Sequence, residues 1–130
     1  MRPSIDTMPM GSKGRRPLNF GIDARVISDR RTGMYRYLSN LLENIARIDR
    51  SNDYILYLTK NSRPRSELPS NFRSVIMNTP RQLWCLLPNL PARLSKDRVT
   101  VFHSPTYTLP LIKTCKLIVT IHDLSYEICH

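Results

Sequence analysis

Two histidines in this sequence close short apolar runs. His122, followed by Asp123, ends Leu117-Ile118-Val119-Thr120-Ile121, and His103, followed by Ser104 and Pro105, ends Val99-Thr100-Val101-Phe102. An imidazole titrates near neutral pH, so a histidine at such a place can accept a hydroxyl proton or relay it. His122 is the candidate for that role. A metal ion between His103, His122 and Asp123 can be imagined, but the spacing shows no supporting shell, and no metal is expected. A third feature is Arg30-Arg31-Thr32-Gly33, which stands where a helix should begin. Unpaired backbone N–H groups and the helix dipole favour an anion there, and glycine lets a phosphate come close. Glycine is also an ordinary residue at a helix start, and the dipole contributes only about 0.3 to 1 kcal/mol. Further contacts would have to hold a nucleotide. Ser104 and Ser125 lack a nucleophile-elbow context, and the Walker and dinucleotide glycine fingerprints are absent.

The elements that must position these residues follow from periodicity. Asn19 to Ile27 is a first strand, apolar at Phe20, Ile22, Ala24 and Val26. From Gly33 the period lengthens: Met34, Leu38, Leu41, Leu42, Ile45 and Ile48 recur at steps of three and four, an amphipathic helix with Thr32 placed to cap it. Tyr54 to Thr59 is a second strand, Lys60 to Asn71 a loop rich in proline, asparagine and serine, and Phe72 to Met77 a third strand. Leu83 to Lys96 is helical in two pieces, because Pro88 breaks a single helix. Val99 to Phe102 is the fourth strand. The fifth, Leu117 to Ile121, opens after Lys116 and has no polar alternation, as in a strand buried on both faces of a parallel sheet.

Strands alternating with helices predict an α/β fold, a Rossmann-like doubly wound parallel sheet in the order 3-2-1-4-5. That order brings the loop after strand 1 (Ser28 to Gly33), the end of strand 4 and the end of strand 5 to one edge, where such sheets bind ligands. Residues 1–17 are expected to be a disordered basic tail and 18–130 one domain. Only Leu124 to His130 follow Asp123, too few for the helix that should cross back over the sheet, so the domain is expected to be incomplete.

A chain of 130 residues supports one hydrophobic core. Its hydrophobic fraction of 41% and charged fraction of 23% are those of a globular protein, with no apolar stretch near the roughly eighteen residues of a membrane span. Cys85, Cys115 and Cys129 have neither disulfide-framework nor zinc spacing, and no secretory signal is visible, which together point to a cytoplasmic location. The net charge of +10 favours anionic partners. The basic residues are spread along the chain, however, as on a solvated surface. The aromatic residues form no stacking platform beside a basic groove, so nucleic acid is not expected as a partner.

Four stretches in order resemble the amino-terminal domain of family 4 glycosyltransferases of the GT-B fold, particularly its mannosyltransferase-like members. They are Gly21-Ile22-Asp23-Ala24-Arg25, Thr32-Gly33-Met34-Tyr35-Arg36-Tyr37-Leu38, Val101-Phe102-His103-Ser104-Pro105 and Thr120-Ile121-His122-Asp123-Leu124. The resemblance implies the amino-terminal, acceptor-side half of a two-domain enzyme. It would move a hexose, mannose favoured, from a nucleotide-diphosphate sugar such as GDP-mannose to a glycan or lipid-linked hydroxyl acceptor. No cofactor is implied. His122 would be the catalytic residue facing the transferred sugar, Gly33 would lie by the donor diphosphate, and His103, Ser104 and Tyr107 would border the acceptor. The family commonly has a second glycine where this chain has Tyr35, whose side chain is then expected to crowd a phosphate. The paired-glutamate motif and donor pocket belong to a second domain.

A different class remains in view, a non-catalytic basic α/β module that binds an anionic membrane surface or nucleic acid. Trp84 among Leu83, Leu86, Leu87 and Leu90, flanked by Arg81, Arg93 and Lys96, suits a non-catalytic basic module on an anionic membrane surface, such as the inner face of the cytoplasmic membrane. The same stripe also suits a helix packing Trp84 into the core.

Overall fold

A computed structural model describes residues 14–80, 83–84 and 86–123. Most of the expected basic tail, together with Arg81, Cys85, Ser125 and Cys129, lies outside the described residues. Among the described residues five strands and two α-helices follow in order: β1 (Asn19–Asp23), α1 (Gly33–Ile48), β2 (Asp53–Leu58), β3 (Phe72–Ile76), α2 (Asn89–Lys96), β4 (Val101–Ser104) and β5 (Lys116–Val119). All pairings are parallel, in the order β3-β2-β1-β4-β5. This is the expected doubly wound, Rossmann-like α/β sheet, with strands 1 and 4 adjacent at its switch point.

Each face of the sheet carries its own core. Ile22, Tyr54, Leu56 and Leu58 meet Tyr35, Leu38, Leu42 and Ala46 of α1. Ile55, Tyr57, Val75 and Phe102 meet Leu90 and Leu94 of α2, with Trp84 beside them. Helix α1 starts as the sequence suggests: the Thr32 hydroxyl accepts the Tyr35 N–H at 3.1 Å. Gly21 of β1 is level with Ile55 of β2 and Phe102 of β4. A Cβ there would come within 3.1 Å of Phe102, Tyr57 and Val99 side chains, so only glycine fits without displacement.

Three strands differ from expectation, two in their bounds and one in its burial. β1 stops at Asp23 rather than Ile27, and Arg25–Ser28 forms a 3₁₀ turn instead. The cause is local: the Asp23 carboxylate accepts the Arg25 N–H at 3.2 Å and turns the chain, while Val26 and Ile27 remain buried. β4 runs two residues later than expected. Arg98 takes a positive φ of 55° to leave α2, and the Val99 N–H bonds Leu94 O, so pairing with β1 begins only afterwards. β5 is not buried on both faces. It is an edge strand, in which Leu117 packs on the core while Ile118 keeps 49% of its surface exposed.

Candidate functional site

The carboxyl edge of β4 and β5 gathers a polar cluster around His122. Its ring Nε2 lies 2.8 Å from Pro105 O. A carbonyl oxygen only accepts, so Nε2 carries the proton, and in the neutral ring Nδ1 holds the lone pair. The backbone N–H groups of His122 and Asp123 both donate to the Tyr107 hydroxyl, each at 3.0 Å. Tyr107 reaches them from a loop position with φ 62°, a conformation costly for a side chain of its size. The ring of Tyr37 meets His122 edge-on at 4.9 Å, and that of Tyr107 does so at 5.8 Å. His122 is thereby oriented on three sides yet remains exposed.

His103 lies on the α1 side of β4, level with Ile22 of β1 and Ile118 of β5. Its Nε2 is 2.7 Å from the Thr120 hydroxyl, which lies 3.2 Å from the Tyr37 hydroxyl. Burial pushes the His103 pKa below its usual value; the nearby Asp23 carboxylate opposes this and His122 adds to it. The shift favours the neutral imidazole. Ser104, expected on the acceptor side, is fully buried instead. Its hydroxyl lies 3.1 Å from that of Thr106, and strand alternation turns it to the opposite face from His103. The structure thus brings His122, His103 and Tyr107 together and sets Ser104 apart.

Gly33 is the exposed first residue of α1, and beyond its chain neighbours and its own helix backbone nothing lies within 4 Å of the place a Cβ would occupy. Tyr37, whose ring meets His122, follows Gly33 by four residues, about 6 Å along the helix axis. Tyr35 does not crowd this space. Its side chain is 6% exposed and packs in the core under α1, contrary to the expectation drawn from the missing second glycine. Tyr35, Leu38 and Leu42 stand at i, i+3 and i+7, a signal that was legible in the sequence. Tyr37, Thr120 and Pro105 carry no local signal of their part in this cluster, because their partners are distant in sequence.

Trp84 is fully buried, donates its indole N–H to Thr79 O at 3.1 Å, and lies under the Arg25 guanidinium at 4.7 Å. It is a core residue and not a membrane anchor. Among the described residues no helix is long and apolar enough to cross a membrane, and no group of three or more His, Cys, Asp or Glu could hold a metal. Cys115 is half-buried, and burial pushes its thiol pKa up, away from reactivity. A hollow of about 420 Å³ beside Arg65, Phe72 and Ser74, and one of about 450 Å³ beside Val99, Thr100 and Lys116, lie toward strand starts, away from the His122 cluster.

Fold and site together define a Rossmann-like α/β domain with a histidine-centred polar cluster at the carboxyl edge of its sheet. No protein-family model, curated protein or solved structure matches the chain.

Proposed function

We propose that this domain is the acceptor-side half of a glycosyltransferase, moving a hexose, with mannose favoured, from a nucleotide-diphosphate sugar to a hydroxyl of a glycan or lipid-linked acceptor. The observation that carries this reading is the state of His122. Its Nε2–H is held by Pro105 O, and its Nδ1 lone pair is left to accept a bond from a sugar hydroxyl at an exposed edge. Such a bond, strengthening as charge develops on the sugar, is the kind that accelerates a reaction and not merely binding. Support also comes from the open space at Gly33, four residues before Tyr37 on α1 and suited to a diphosphate, and from Tyr107 and His103, whose lowered pKa favours the neutral ring. In this reading a second domain supplies the donor pocket. The work is cytoplasmic, with the basic surface resting against the anionic inner face of the membrane where the acceptor is lipid-linked.

The test is transfer of labelled hexose from nucleotide-sugars by a protein joining this domain to a donor-binding domain, with His122→Ala alongside. We expect kcat to fall by about ten- to a thousandfold, the scale of one lost transition-state hydrogen bond or proton relay. The melting temperature should move little, since the residue is exposed and its ring gives up one hydrogen bond, about 0.5 to 1.5 kcal/mol. Unchanged turnover with a lowered melting point would remove His122 from the chemistry, and no transfer with any donor would reject the function.

A further inference from the structure

We propose that the buried Asp23–Arg25 pair is a positioning element for His122, acting by clamping the Pro105–Thr108 segment that holds the imidazole. This rests on the proposed function only in taking His122 as the acting residue. Asp23 is fully buried and Arg25 is 6% exposed, so neither charge is left to water. The Arg25 Nε donates to both Asp23 oxygens, at 2.9 and 3.0 Å. Its Nη2 reaches the hydroxyls of Thr108 at 3.1 Å and Thr106 at 3.4 Å. Asp23 Oδ2 also accepts from the Thr106 hydroxyl at 3.4 Å, and the guanidinium lies over Trp84.

The targets of this fork make it more than a plug at the end of β1. Thr106 and Thr108 flank Tyr107, the residue at positive φ whose hydroxyl accepts the N–H groups of His122 and Asp123. Pro105, in the same segment, accepts the His122 Nε2–H. One short stretch therefore supplies both the backbone and the ring hydrogen bonds of His122, and one guanidinium holds that stretch from beneath. A planar fork is required, because a lysine ammonium cannot span a carboxylate and two hydroxyls in fixed geometry. The predicted consequence is a fixed tautomer, with Nε2 protonated and Nδ1 the acceptor.

The experiment reads the His122 tautomer by long-range nitrogen–proton NMR, and amide hydrogen exchange at His122 and Asp123, in the 130-residue chain and in Thr108→Val, Arg25→Lys and Tyr107→Phe. Thr108 is exposed, so Thr108→Val leaves the core intact. In the parent we expect the Nε2–H form to dominate. In Thr108→Val and Arg25→Lys we expect a mixture of tautomers, and exchange at both amides faster by about two- to tenfold, the worth of one hydrogen bond. Leu56 and Leu58 in β2 should keep their rates. Tyr107→Phe should accelerate the same two amides directly. If Thr108→Val leaves tautomer and amide rates unchanged while Tyr107→Phe shifts them, Arg25 does not act upstream of His122. If exchange in β2 rises equally, the pair only stabilises the fold. None of these readouts involves sugar transfer, so an inactive enzyme with a clamped His122 would reject the function and leave the positioning role standing.

Discussion

Replacing Tyr35 by glycine separates the two accounts of this residue. Were its side chain lying over the start of α1, Tyr35→Gly would open room for a phosphate and leave the fold alone. In the structure it is buried in the core with Leu38 and Leu42. Removing a buried aromatic side chain costs about 3 to 5 kcal/mol, and glycine within a helix adds about 1 kcal/mol. The sum of about 4 to 6 kcal/mol is a large share of the roughly 5 to 15 kcal/mol that stabilises a domain. At about 4 °C per kcal/mol for a chain of this length, the melting temperature should fall by roughly 15 to 25 °C. Tyr35→Phe, which keeps the ring, should stay within about 1.5 kcal/mol of the parent. Thermal and urea denaturation measure both variants, with pyrophosphate titration at a temperature where each is folded. A Tyr35→Gly melt close to that of the parent, together with tighter pyrophosphate binding, would refute the buried placement.

Gly21→Ala should destabilise by about 1 to 3 kcal/mol, as overpacking does, because the added Cβ meets three side chains at 3.1 Å; urea midpoints test this, and an unchanged midpoint would mean that Phe102 or Val99 yields. Asp97 should make stability pH-dependent. Burial raises its pKa, but hydrogen bonds from Arg93, Tyr57 and Arg73 outweigh that and hold it below the ordinary carboxylate value. Its contribution is therefore fully present above about pH 4 and lost as pH falls through the lowered value. Asp97→Asn should cost about 1 to 2 kcal/mol at pH 7, discounted because both arginines are partly solvated, and the gap to the parent should close in acid; an equal gap at pH 7 and pH 3 would show that the carboxylate charge plays no part.

The order of elements was legible because each carries its own local signal. The α1 stripe with its Thr32 cap, the apolar β2 run and the break at Pro88 depend on residues within a turn or two of one another. The β-α alternation then restricts the sheet to few orders, and the order places His103 and His122 at one edge. Tertiary packing decided the rest. The alternation at Ala24, Val26 and Ile27 reads as strand, but a buried 3₁₀ turn hides the same side chains, and the Asp23 carboxylate chose the turn. The apolar run of β5 reads as buried on both faces, yet burial depends on what covers a strand, and β5 lies at the sheet edge. Local sequence does not encode which hydroxyl meets which ring. Thr120 and Tyr37 are far apart along the chain, as are Pro105 and His122, and become partners only when β4, β5 and α1 are side by side. Short-range periodicity fixes where a side chain can point, whereas a hydrogen bond across the fold forms only once packing has set the distance.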